Sequence, residues 1–211
     1  RIVVKYCRVT VICRETDRLY LHHQFGTFKY SMLSASKVLF LAFFEICRLN
    51  KGPQDIPASK NLLTLCLVGY GLLSVQLAAL SQPIEKAVFA GVMEVALIII
   101  FSLALLQIRG KSERWVQMVT ALAGTGIIIS ILALPLYLFI GIGGEEAMAS
   151  SGVHALGLLF LAVLACWNIT IMGHILRHAL DINMFSAIIL AISYIWVIFS
   201  FTAAIMPMDV A

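Results

Sequence analysis

The chain is 211 residues long, 61% apolar and only 12% charged, with a net charge of +4 and a mean hydropathy of +0.98. A water-soluble domain of that length has too little interior to hide so much apolar surface, so lipid is its natural solvent. Ten of the fifteen Lys and Arg residues precede residue 61, and no basic stretch is interleaved with aromatics, which excludes a nucleic-acid-binding face.

Residues 1–31 carry scattered charges, a β-branched run from Val9 to Ile12, and no Met. The segment Met32-Leu33-Ser34-Ala35-Ser36-Lys37 reads like a natural start, so 1–31 is expected to be an N-terminal extension without a folded role. It has neither a continuous apolar core nor a small-residue cleavage site, so it is not a secretory signal. Residues 32–60 form a basic flank, expected on the cytoplasmic side. Within it, 38–47 is apolar but for Glu45 and too short to span a bilayer. It is expected to be an interfacial helix lying against the cytoplasmic leaflet. Asn50, Gly52, Pro53 and Pro57 then break the chain.

From 61 to 208 the pattern predicts an all-α, polytopic, up-and-down bundle of five transmembrane helices: 61–80, 87–108, 115–140 (interrupted by Pro135), 153–175 and 184–206. Backbone polar groups in lipid must be satisfied within the element, so the spans are helices. The connections are short, which makes neighbouring helices antiparallel. With the N-terminus inside, fourteen of the fifteen cations face the cytoplasm and only Lys86 lies outside. The chain is therefore expected to run N-in and C-out, with Asp209 outside. The compact loops point to a bacterial inner membrane. Gly69-Tyr70-Gly71, Ala87 with Gly91, and Gly124-Thr125-Gly126 are expected to let helices approach closely.

Glu94 is the acid inside a span. An acid there costs roughly 2.5–3.5 kcal/mol, so it needs a partner inside the bundle. Gln76, across the Pro83 hairpin, is the expected one. Together they form a candidate binding pair, either structural glue or a proton- or cation-binding site. His174, His178 and Asp181 recur at i, i+4 and i+7, a stripe that could ligate a metal. Asn168 and Thr170 are expected to bond across to Ser193 or Tyr194. The five cysteines, Cys7, Cys13, Cys47, Cys66 and Cys166, form no CxxC pair and read as free thiols. No GxSxG, HExxH, Walker or GxGxxG motif occurs. No cofactor is expected, and haem is excluded because no two spans carry histidines at matching depth.

Five closely spaced helices, a cytoplasmic flank and a short outer C-terminus resemble the Yip (Ypt-interacting protein) family of small membrane proteins over roughly residues 50–208. The nearest local likeness is Gly52-Pro53-Gln54-Asp55-Ile56-Pro57, where eukaryotic members carry an Asp-Leu-Tyr-Gly-Pro type motif; the Tyr and the order differ here. The resemblance implies a non-enzymatic membrane scaffold or organiser whose partners are the lipid bilayer, other membrane proteins or a second copy. The rival expectations are a small carrier or channel using Glu94 and Gln76, and a metal-dependent membrane enzyme at His174, His178 and Asp181.

Overall fold

The computed structural model describes residues 37–141 and 152–205. The extension 1–31, the Gly- and Ser-rich connection after residue 141 and the C-terminal Asp209 lie outside them. The chain divides into two units at Ala42, and the packing below is that of the unit from Ala42 onward.

Every regular element among the described residues is helical. Helix α1 covers 37–47, and a 3-10 turn follows at Pro53–Asp55. The bundle comprises α2 (Lys60–Ala78), α3 (Ile84–Ile108), α4 (Trp115–Gly141), α5 (Gly152–Leu180) and α6 (Met184–Ile205). These five helices are long and apolar enough to cross a membrane. The chain is thus an integral, multi-pass membrane protein.

Local chemistry sets the helix ends. Ser59 caps α2, its hydroxyl accepting from the Leu62 N–H at 3.4 Å. Pro83 stands at the cap of α3, where its missing N–H costs nothing. Asn183 caps α6 through Oδ1, which accepts from the Ser186 N–H at 2.8 Å. Asp181 ends α5 in the left-handed region at φ 51°, a conformation Asp tolerates better than most residues.

Helix α2 ends at Ala78 rather than 80, and two other helices differ more from expectation. Helix α3 starts at Ile84 rather than 87, because Pro83 initiates it directly. Helix α5 runs on to Leu180, so His174 and His178 lie within it and not in a closing turn. Helix α4 continues through Pro135 without interruption; a membrane helix tolerates the lost backbone bond when neighbours re-satisfy it.

Helix α2 packs against α3 and α4, α4 against α5, and α5 against α6; α3 meets α5 and α6 only sparsely. The small residues lie at the close approaches. Gly71 faces Val95, and Gly91 faces Val75 and the Gly71 carbonyl. Around the bundle, Leu65, Leu72, Phe160, Trp196 and Phe199 are exposed. On a soluble protein so wide an apolar belt would mark an interface; here it is the surface offered to lipid tails.

The flank is not simply laid on a leaflet. Phe43, Ile46 and Cys47 of α1 are buried, as is Ile56. The Phe43 ring occupies the space a side chain at Gly124 would need. Gln117 donates to the Ile56 carbonyl at 3.0 Å. His174 Nε2 lies 3.0 Å from the Lys51 carbonyl. The segment Gly52–Pro57 folds as a self-capped turn: the Gly52 N–H donates to Asp55 Oδ2 at 2.9 Å. One end of the bundle is therefore closed by protein.

Candidate functional site: the Glu94 cavity

Helix geometry fixes where Glu94 sits. It stands ten residues past Ile84, about 15 Å along the helix. The charged Glu85 and Lys86 keep the first turn at the interface, so Glu94, eight residues past Lys86 and about 12 Å further on, lies well inside a hydrocarbon core roughly 30 Å thick.

Its partner is Tyr70, not Gln76. The Tyr70 hydroxyl donates to Glu94 Oε1. In an antiparallel hairpin, residues equidistant from the turn meet. The observed register pairs Gly71 with Val95 and Val75 with Gly91, symmetric about Pro83. Gln76 then falls about one helical turn short of Glu94, and its side chain is exposed. The sequence carries a signal for this: Tyr70 lies between two glycines, where helices can approach closely. Gly126 makes the room, since a methyl group there would meet the Tyr70 ring at 2.6 Å.

Two further hydroxyls collect nearby. Ser74 lies beside the Tyr70 hydroxyl, and Tyr194 lies within electrostatic reach of Glu94. Tyr194 is 3% exposed, and its hydroxyl has no hydrogen-bond partner among the described residues. Its ring stacks obliquely on Phe101, with centroids 4.9 Å apart. Ser102, one residue on, is also buried with an unpartnered hydroxyl. Each such orphan costs about 1–3 kcal/mol.

Glu94 walls two hollows. The larger, about 500 Å³, lies between α2, α3, α4 and α5; its polar groups are Glu94, Ser130, Tyr137 and Asn168. The smaller, about 70 Å³, lies on the other side, between α3 and α6, with Met93, Leu97, Ile198 and Thr202 in its wall. Among the described residues no Lys, Arg or His pairs with Glu94. An uncompensated acid, the orphan Tyr194 hydroxyl and a cavity therefore meet within the span; Ser102 lies two helical turns further along α3. A carboxylate so placed can bind a proton or exchange it for another cation.

Other expected contacts fall out differently. Thr170 donates to its own helix, at the Cys166 carbonyl 2.8 Å away. Ser193 does the same at the Leu190 carbonyl, 2.8 Å. Short hydroxyl side chains reach back three or four residues more readily than across a helix interface. Asn168 instead faces the larger cavity.

The His174, His178 and Asp181 stripe does not converge into a ligand set. The two imidazoles pack edge-to-face with centroids 4.6 Å apart, and His174 is engaged with the flank. The Asp181 carboxylate is taken by Lys111 and by Arg114, the latter at 3.1 Å. Among the described residues no group of three or more His, Cys, Asp or Glu is placed to hold a metal. The same loop caps α5. Arg109 donates to the Leu180 carbonyl and Arg114 to those of His178 and Ala179, each at 3.4 Å, satisfying the orphan carbonyls of that terminus. The Lys111 ammonium, hydrogen-bonded to Asp181, holds that carboxyl below its ordinary range, with Arg114 adding to the effect. Burial pushes the Cys47 thiol up to about 11.

No protein-family model, curated protein or solved structure matches the chain.

Proposed function

We propose that the chain is a small membrane carrier in which Glu94 binds a proton or a cation in turn. One observation carries this reading: Glu94 sits inside a span, without a countercharge among the described residues, in the wall of two hollows. Magnitudes favour a working role over glue. An acid at that depth costs roughly 2.5–3.5 kcal/mol, whereas hydrogen bonds between membrane helices average about 0.6 kcal/mol. The Tyr70 contact alone does not offset the acid. The cation distribution supports a cytoplasmic basic flank.

The test is proton movement in proteoliposomes with an entrapped pH-sensitive dye. External sodium, potassium and tetraphenylphosphonium are added in turn. At least one should drive proton efflux in the wild type and none in Glu94→Gln, with Glu94→Asp retaining part. Equal traces for wild type and Glu94→Gln with every cation would overturn the carrier.

The Yip-type scaffold is the second reading, favoured by the folding of Gly52–Pro57 against the bundle. A scaffold keeps its membrane partners in Glu94→Gln and loses them when the flank is undocked. Co-purification from native membrane separates the two.

A further inference from the structure

The following rests on the carrier reading and gives it a cargo. We propose that the Glu94 cavity takes a bulky, apolar, monovalent organic cation, and that such a cation reaches it sideways from the lipid between α3 and α6.

Four observations point the same way. The first is size. About 500 Å³ falls within the roughly 300–1,000 Å³ that drug-sized ligands occupy, far more than a bare ion fills. The second is the wall. Leu77, Ile129, Ala133, Leu161, Ala162 and Ala165 surround the few polar groups. A metal ion shedding its water needs around six close oxygens, and a wall of aliphatic carbon does not supply them. An organic cation carries its own apolar shell and needs only one countercharge.

The third is aromatic content. Tyr137 lines the cavity, and Phe89 and Phe201 line the smaller hollow on the other side of Glu94. Ring faces attract alkylated cations that have little hydration to lose. The fourth is access. The smaller hollow lies between two helices that meet only sparsely. Phe89 is 45% and Phe201 48% exposed on the surface that faces lipid. A cation that partitions into the bilayer meets this groove before it meets any aqueous route. Glu94 stands where groove and cavity share a wall. Binding is an exchange: the protonated Glu94 carboxyl releases its proton to water and the resulting carboxylate pairs with the incoming monovalent cation, so charge balances one for one.

The groups facing Glu94 are few. Helix α2 offers Tyr70, α4 Tyr137 and α6 Tyr194; α5 offers Asn168. Among the described residues none of these is basic, so nothing competes with the cargo for the carboxylate.

The experiment is equilibrium dialysis of radiolabelled tetraphenylphosphonium against the full chain in lipid nanodiscs. The expected result is saturable binding of about one cation per chain. Glu94→Gln should weaken it at least ~10-fold, since the countercharge is gone. Ala162→Phe, which fills the cavity and leaves Glu94 in place, should weaken it by about the same factor. Unlabelled tetramethylammonium, which needs no variant and matches the charge but not the size, should compete at least ~10-fold less well. Sodium and potassium should not compete.

Unsaturable binding, or affinity unchanged in Glu94→Gln or Ala162→Phe, overturns the assignment. So does equal competition by tetramethylammonium. If tetraphenylphosphonium fails to bind while sodium or potassium drives Glu94-dependent proton movement, the cargo is wrong and the carrier stands. If no cation does either, both fall.

Discussion

The two ends of helix α4 are built for opposite purposes. From Met118 to Thr125 every residue is buried. From Ile131 to Phe139 most are exposed or line the cavity. The difference is written in side-chain size. The first stretch, Met-Val-Thr-Ala-Leu-Ala-Gly-Thr, is dominated by small residues. Its threonines fold their hydroxyls back onto their own helix, Thr120 at 2.6 Å and Thr125 at 2.8 Å. Neighbouring backbones can then close in, which is how membrane helices gain packing energy where no hydrophobic drive exists between them. The second stretch, Ile-Leu-Ala-Leu-Pro-Leu-Tyr-Leu-Phe, is bulky and holds its neighbours apart. Helix α5 follows the same division. Ile171 to Leu180 is largely buried, whereas Leu156 to Trp167 is largely exposed. One half of the bundle is a rigid base closed by the flank. The other is an open vestibule with an acid at its floor.

The sharpest way to break this comparison is to make the same truncation in both halves. Ile175 is fully buried in the base, and Leu161 lines the cavity. Ile175→Ala should leave an unfilled void and cost about 2–4 kcal/mol. Leu161→Ala should cost less than about 1 kcal/mol, because a wall already open to the cavity loses few contacts. Thermal unfolding in detergent reads both. Equal losses would mean that the two halves are packed alike.

The next effect concerns the lid on the base. Gln117→Leu removes the donor to the Ile56 carbonyl and leaves a part-buried acceptor unpaired, a cost of about 1 kcal/mol. His174→Leu does the same to the Lys51 carbonyl. The flank should loosen, and Cys47 reports it. Because burial pushes its thiol up to about 11, only about one molecule in a thousand is thiolate at pH 8. Iodoacetamide should therefore barely modify Cys47 in the wild type. Once the flank lifts, the thiol returns toward its ordinary value and labelling should rise at least ~10-fold. Mass spectrometry of the Cys47 peptide decides it. Unchanged labelling in both variants would mean that the apolar contacts of Phe43 and Ile46 hold the flank alone.

The same contrast explains what the sequence could disclose. Apolar runs of membrane length are unambiguous, so the number of spans and the all-helical class were legible, as was the unusual position of Glu94. Its partner was not. Apolar content says nothing about register, and the register here depends on α3 starting directly at Pro83. Once Gly91 is seated against Val75, Tyr70 and not Gln76 is at the right depth. The cavity was illegible for a related reason. A void is a property of four helices at once, and the residues lining it, such as Ala162 and Asn168, carry no pattern of their own. The histidine stripe misled because i, i+4, i+7 spacing reports only one helix. The cations of the 109–114 loop, on a different connection, decide what Asp181 does.

The smallest expected effect tests that loop. Asp181 is exposed, and the Lys111 and Arg114 contacts lie partly in solvent, so screening limits their worth. The pH dependence still has a definite sign. The Lys111 hydrogen bond holds the folded carboxyl below its ordinary value of 3.8. A carboxyl lowered on folding contributes stability that is fully present above the ordinary value. That contribution is lost as pH falls through the lowered one. At neutral pH Asp181→Asn should lower the melting temperature slightly, less than either substitution in the base. The gap should shrink with added salt. Acidified below the lowered folded value, the wild type should converge on the variant, because both then present a neutral side chain to Lys111. The contacts of Arg109 and Arg114 with the α5 carbonyls do not titrate in that range, so they should hold the end of α5 in both proteins. A gap that widened on acidification would show instead that Asp181 is a burden in the folded state and that the carbonyl caps do all the anchoring.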